Sequence, residues 1–408
     1  MTNFSESTLN SPLGGSGDDE RIAIFMPSIE LGGQSRAAIN LLTKLSEKSY
    51  GLQLDLLVID VDPDLGVQIP KSVNVHYIGR EIPIPGASRF LSTRMRRSLG
   101  SVKGLVSYLR EYRPTALISF QSSVIAVIAS RLARTTTRMI VRESNHPTEA
   151  VKELGWFRAQ LGLWAKRIAY KRADAIVAIS QGASENLKQA LHLPADLVNV
   201  IYNPTSRPEL RELSLESTGV EFLDASDHVP AIVYVGRFAH QKDVPTLVRA
   251  FGIVRQQIEC RLVLVGDGEK RSEIEDLVSE LGLSADVDFV GFRYNPYPFM
   301  ARASVFTVTS IYEGNPNALI EALTCGAPSI STDCPSGPRE VLMDGAGGEL
   351  VPMGDHGALA ESMMRYLRDP EYAAGLLELA KANLHRFYPE TAAERYLKLV
   401  RGAELDPL

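Results

Sequence analysis

From Arg21 onward, short apolar runs of strand length alternate with longer segments whose apolar positions recur at helical spacing. RIAIFMPS, LQLDLLVIDV, ALISF, RMIVRES, AIVAIS and VNVIYNP predict strands, with helices expected near 34–48, 102–112, 124–133 and 150–172. After the acidic, loop-like PTSRPELRELSLESTGVEFLDASDH a second series begins. There AIVYVGR, RLVLVGDG, VDFVGF, SVFTVTS, PSISTD and ELVP read as strands, and helices are expected near 244–257, 270–281 and 317–325. Apolar strands alternating with helices imply a parallel sheet covered on both faces. The pattern therefore predicts an α/β protein made of two doubly wound units joined near residue 205. Ligands of such sheets bind beyond the carboxyl ends of the strands, which places a site in a central cleft where the two units face each other.

Residues 1–20 carry almost nothing apolar and read as a disordered tail. The expected division is then 21–205, 206–390, and a helix within 391–408 that packs back toward the N-terminal unit. Up to Thr205 the chain holds 24 Lys and Arg against 18 Asp and Glu, and afterwards 19 against 31, so the first unit is suited to an anionic partner. Much of the excess lies in two stretches, RFLSTRMRRSLGSVKGLVSYLREYR and GWFRAQLGLWAKRIAYKR. They suit an anionic membrane surface or a lipid diphosphate, and equally the solvated faces of core helices. Without a signal peptide or an 18-residue apolar run the chain is expected in the cytosol, with a peripheral station on the inner face of the membrane as a further option. Cys260, Cys325 and Cys334 fit neither a disulfide framework nor a zinc site and read as packing residues.

The chemistry concentrates in TSIYEGNPNALIEALTCGAP, where Glu313 and Glu321 flank a Gly-Asn-Pro-Asn turn. A strand ends just before it, Asn315 is suited to cap a helix and Pro316 to open it. The free N–H groups of such a start favour an anion, and a carboxylate accepting two hydrogen bonds suits the vicinal hydroxyls of a sugar or ribose. One Glu there would be a capping or surface acid; two around a turn at a strand end argue for a site. VGRFAHQKD places Arg237 and Lys242 near another strand end, as cations for a diphosphate or as ordinary solvated charge. In FMPSIELGGQSRAAINLL, Gly32 and Gly33 let the backbone approach a ligand, although paired glycines also make plain turns. MIVRESNHP ends at Glu143, Ser144, Asn145 and His146, and VDFVGF at Gly291 and Phe292. Asp60-Val61-Asp62 has the spacing of a metal-holding acid pair, but hard cations need several converging oxygens and Pro63-Asp64 makes this a polar loop, so no metal is expected.

This set resembles the retaining glycosyltransferases of family 4. Their S-x-x-E-G-x-P-x-x-x-x-E-A-x-x-x-G-x-P signature is matched at Ser310, Glu313, Gly314, Pro316, Glu321, Ala322, Gly326 and Pro328. G-R-x4-K-D is matched from Gly236 to Asp243, and G-G-x-E-R at Gly32, Gly33 and Arg36, with Ser35 in place of the acid. The resemblance implies the GT-B fold of two facing Rossmann-like domains. It also implies Glu321 on the nucleotide ribose, Glu313 on the donor sugar, and the backbone of Gly314, Asn315, Pro316 and Asn317 on sugar or phosphate. Arg237 and Lys242 would take the diphosphate with the Gly32-Gly33 loop, His146 would lie close to the transferred sugar, and Phe292 beside the base. The implied activity is metal-independent transfer of a hexose-type sugar from a UDP or GDP donor to a hydroxyl acceptor, possibly lipid-linked, in glycan, polysaccharide or glycolipid synthesis, with no separate cofactor and no nucleic acid. A sugar-nucleotide epimerase of the same plan and a catalytically silent sugar-nucleotide-binding subunit are the alternatives.

Overall fold

The computed structural model describes residues 20–30, 32–79, 93–144, 156–225 and 229–406, the side chains of 93–99 and 156–159 excepted. Seven parallel strands lie side by side in the order Val73–Tyr77, Leu52–Val58, Glu20–Phe25, Ala116–Ser119, Arg138–Glu143, Ala175–Ala178 and Val198–Val200. Six more form a second parallel sheet, Val287–Gly291, Arg261–Val265, Ala231–Val235, Val305–Val308, Ser329–Thr332 and Glu349–Val351. In each sheet the chain starts at the centre, winds to one edge and returns to build the other side, which is the doubly wound order. The expected α/β architecture of two such sheets is found.

The apolar runs become strands because helices cover both of their faces. Ile22, Ala23, Ile24 and Phe25 are all inaccessible to solvent, their side chains divided between two separate cores on opposite faces of the sheet. Val73–Tyr77 escaped the sequence reading for the converse reason. It is an edge strand, and Asn74, Val75 and Tyr77 face solvent, so no apolar run marks it. The stretch expected to be loop-like contains two short helices, Glu209–Leu213 and Glu221–Asp224, each anchored by one buried leucine, Leu210 and Leu223. The helix expected near 102–112 begins earlier, at Thr93.

The polypeptide crosses between the sheets a second time. Phe387 accepts hydrogen bonds from Thr205 and Ser206 N–H at 3.0 Å each, and helix Pro389–Val400 then packs on the first sheet. Ala392, Ala393, Tyr396 and Leu397 share a core with Ile22, Ile24 and Leu56, and Glu390 reaches Lys44 at 2.6 Å. Burial pushes the thiols up, Cys260 to about 11 and Cys325 and Cys334 to about 12, so all three are protonated packing residues at neutral pH. Among the described residues no helix is long and apolar enough to cross a membrane.

Candidate active site

The carboxyl ends of the two sheets face each other, and their loops touch. Gly33 carbonyl accepts from Asn317 Nδ2 at 3.2 Å, and Asp64 Oδ2 accepts from the Tyr294 hydroxyl at 2.6 Å. Glu340 accepts from the Gln181 and Gly182 N–H groups at 2.8 and 2.9 Å, so a carboxylate of the second sheet caps helix Gln181–Leu191 of the first. Gly314 lies so close to the first sheet that a Cβ there would be 2.7 Å from Ser144 carbonyl oxygen and 2.8 Å from Ile179 Cδ1. The glycine is required by that approach.

On the second-sheet side, Lys242 Nζ and Glu313 Oε1 are 2.5 Å apart, and Ser310 Oγ donates to the same oxygen at 2.6 Å. Two strand-end segments hold the pair in place: Ile311 N–H bonds Gln241 carbonyl at 2.8 Å, Gln241 Nε2 bonds Tyr312 carbonyl at 2.8 Å, and Thr309 Oγ1 bonds Lys242 carbonyl at 2.8 Å. Arg237 lies at the same strand end with its side chain exposed, and among the described residues its guanidinium has no partner. Beside Lys242, Glu313 and Asn317 is a cavity of about 30 Å³, room for little more than water.

Glu321 lies within helix Asn317–Cys325, 7% exposed. Burial pushes its carboxyl above the ordinary range, opposed by the nearby Arg36 and Arg207 guanidinium groups. Arg36 Nη1 is 3.8 Å away, and among the described residues no group donates a hydrogen bond to this carboxylate. Arg36 comes from the first turn of helix Gly33–Leu45 and is held across the cleft by Tyr294 carbonyl at 3.0 Å and the Tyr297 hydroxyl at 3.3 Å. Sequence reading noted Arg36 only as a motif match; its partner 285 positions away leaves no local signal.

Helix Asn317–Cys325 has the bounds expected for it, but not the expected cap. Pro316, read as the opening residue, takes the cap position, and Asn315 makes no capping bond; Gly337 packs against Pro316 so tightly that a Cβ there would be 2.5 Å from Pro316 Cδ. The Asn315 amide is buried, and among the described residues neither its Oδ1 nor its Nδ2 has a partner. The Asn317 amide is engaged: Oδ1 accepts from Asn203 Nδ2 at 2.8 Å and Thr205 Oγ1 at 3.3 Å, and Nδ2 serves Gly33. Gly32 has open space around it, and Phe292 is 44% exposed with its ring edge-on to Tyr294 at 5.0 Å. His146 lies outside the described residues. Asp62 caps the short helix Pro63–Gly66 through Asp64 N–H, and Asp60 bonds Val61 N–H. Among the described residues no cluster of three or more His, Cys, Asp or Glu is placed to hold a metal.

The structure gives a setting to residues that sequence reading left without a role. At the carboxyl ends of Ala116–Ser119 and Arg138–Glu143 a cavity of about 350 Å³ is lined by Gln34, Gln121, Arg142, Glu143, Lys166 and Tyr170 among others. The available signal was a buried Arg142-Glu143 pair closing an otherwise apolar strand.

Two facing doubly wound sheets, the second carrying a fixed Lys242–Glu313 pair at its strand ends, define the class as the GT-B fold. Comparison with known sequences is specific: the family described as Glycosyltransferase Family 4 matches residues 31–206, and Glycosyl transferases group 1 matches 221–382. The chain belongs to the family 4 glycosyltransferases.

It is 25% identical over 389 residues to a Campylobacter jejuni N-acetylgalactosamine-N,N'-diacetylbacillosaminyl-diphospho-undecaprenol 4-alpha-N-acetylgalactosaminyltransferase, covering 94% of this chain and 100% of that one. A Salmonella typhimurium lipopolysaccharide 1,6-galactosyltransferase is 32% identical over 188 residues, 45% of this chain and 49% of that one. The structure of Anabaena Alr3699/HepE in complex with UDP and glucose superposes with a TM-score of 0.73 at 20% identity, over 94% of this chain and 99% of that one. That last likeness concerns the fold. Glycosyl transfer from a nucleotide sugar is therefore the activity class.

Proposed function

We propose that this enzyme moves a hexose-type sugar, with retention and without a metal, from a nucleoside-diphosphate donor bound on the second sheet to a hydroxyl of a lipid-linked saccharide bound on the first. The Lys242–Glu313 pair beside the start of helix Asn317–Cys325 carries this reading. Opening of the cleft admits the donor. Glu321, to which no described residue donates a hydrogen bond, then accepts from the ribose hydroxyls, and the Asn315 amide gains partners that the described residues do not give it. As the glycosidic C–O bond to phosphate breaks, Lys242 and Arg237 stabilise the departing diphosphate together with the N–H groups at the helix start. Closing of the cleft excludes water and favours transfer over hydrolysis. Retention follows the family resemblance.

UDP is the first base to test because HepE is bound to it. Thermal unfolding with UDP-, GDP- and ADP-sugars is expected to show a rise with one base, by the stabilisation that binding to the folded state gives. Transfer is expected to persist in excess EDTA, and its abolition there would defeat the metal-free reading.

A lipid-linked acceptor fits the undecaprenyl-linked substrate named for the Campylobacter relative, and the surface of this chain supports it. Ile128 and Leu132 on helix Ser123–Ala133, and Leu161 and Trp164 on helix Trp156–Tyr170, are exposed apolar side chains, with Arg131, Arg134, Lys171 and Arg172 exposed nearby. Apolar residues beside cations suit an anionic lipid surface. Flotation with vesicles containing phosphatidylglycerol is expected, reduced severalfold in a Leu161→Ser/Trp164→Ser variant; equal flotation with neutral vesicles would remove the electrostatic part.

A further inference from the structure

The cavity on the first sheet has no assigned occupant. We propose that it is the subsite for a neutral saccharide acceptor and that Glu143 recognises and orients the acceptor hydroxyls there, an inference that rests on the glycosyl-transfer reading above.

Position argues first. Ser144 lines the cavity, and its carbonyl oxygen is the atom against which Gly314 of the donor-side turn packs. Gln34, from the first turn of the helix that follows Gly32, lines the cavity as well and is bonded by Gln121 Nε2 at 3.2 Å. The cavity therefore opens beside the donor turn, and its volume of about 350 Å³ lies in the range of small-molecule sites, roughly 300–1,000 Å³.

Chemistry argues second. Glu143 is 7% exposed, and its Oε2 accepts from Lys166 Nζ at 2.7 Å and from the Tyr170 hydroxyl at 2.8 Å. Those two bonds fix the carboxylate, while among the described residues nothing donates to Oε1. Oε1 is on a side chain that lines the cavity, and a hydroxyl is a donor that can reach it there without adding charge. The cations of the cavity are already engaged. Lys166 is paired with Glu143, and Arg142 donates to Ser144 Oγ and, at 2.5 Å, to Asn203 Oδ1, with its guanidinium 4.5 Å from the centre of the Phe120 ring. Among the described residues the walls offer amides and hydroxyls instead of free positive charge, which favours a neutral saccharide over a phosphorylated one.

The test uses the full chain, its nucleotide-sugar donor, neutral p-nitrophenyl hexosides with their monodeoxy analogues, and hexose 6-phosphates. Glu143→Gln keeps shape and removes the acceptor charge. Its expected result is a rise of about 10- to 100-fold in the KM for the saccharide, the range for losing a hydrogen bond to a charged group, with donor affinity by calorimetry unchanged. Tyr170→Phe, which loosens the carboxylate without changing its charge, is expected to move the same KM in the same direction by less, and carries the test if Glu143→Gln does not fold. One deoxy analogue should lose activity with the wild type and lose nothing further with Glu143→Gln. Unchanged saccharide KM in both variants, a matching loss of donor affinity, or preference for the 6-phosphates would overturn the subsite. A wild-type chain that binds no nucleotide sugar would instead strike at the transfer reading itself.

Discussion

Lys242→Ala is expected to lower transfer by about 10²- to 10³-fold, the scale seen when a preorganised group that stabilises transition-state charge is removed. Glu313→Gln should give a loss of similar order, because Lys242 Nζ, Ser310 Oγ and the Glu313 carboxylate form one fixed constellation. The informative result is the double variant. Groups that act as a unit are strongly non-additive, so Lys242→Ala/Glu313→Gln is expected to be about as slow as the slower single variant. Arg237 supplies the contrast: its guanidinium is exposed and makes no contact with that pair, so Arg237→Ala combined with Lys242→Ala should multiply the losses. Steady-state kcat/KM with saturating acceptor measures all five proteins. Multiplicative losses in the Lys242/Glu313 double variant would show that the two side chains act separately.

Glu321→Gln is expected to push binding and stability in opposite directions. Loss of the carboxylate should weaken nucleotide-sugar affinity by about tenfold or more, as expected for hydrogen bonds to a charged group. The same change should raise the unfolding midpoint of the ligand-free protein at neutral pH. Burial raises the folded carboxyl pKa above its unfolded value, so the contribution of Glu321 to stability is fully present below the unfolded pKa and is lost as pH rises through the folded one. At neutral pH the charge therefore destabilises the fold, and a neutral isostere removes that cost. Arg36 loses a partner only 3.8 Å away while still bonded to Tyr294 and Tyr297, so little is forfeited there. The gain in midpoint should shrink as pH falls toward the carboxylate range, where the wild-type side chain is also protonated. A lower midpoint at every pH would mean that the Arg36 and Arg207 interactions outweigh burial. A raised midpoint with unchanged affinity would remove Glu321 from the nucleotide site.

These variants separate two carboxylates that look alike in sequence. Both fall in one motif, eight residues apart, yet Glu313 is bonded by a lysine and a serine, while Glu321 is buried against an arginine from the other half of the chain. A site that keeps a carboxylate buried in Glu321 and, among the described residues, an unpartnered Asn315 amide stores a cost that ligand binding can relieve, a common trade between stability and function.

The amino-acid sequence by itself determined what depends on neighbours along the chain. Short apolar runs set between helical segments specified both parallel sheets except the exposed edge strand Val73–Tyr77, since a strand covered on two faces must be apolar throughout. The strand–turn–helix around Gly314 and the cations after Gly236 were legible for the same reason: their chemistry is written within a few residues. Only the tertiary structure decided what depends on apposition. Asn203 and Gly33 hold the Asn317 amide from 114 and 284 positions away, and Arg36 faces Glu321 across 285, separations over which no periodicity carries information. Pro316, read as the residue that opens the helix, takes the cap position instead of Asn315, and Gly337 packs against it from another loop. Arg142 and Glu143 read as charges at the end of a strand until Tyr170, Lys166 and Asn203 are brought around them. Local patterning chose the two folds; close packing between them chose which of their polar groups are engaged and which remain open to a ligand.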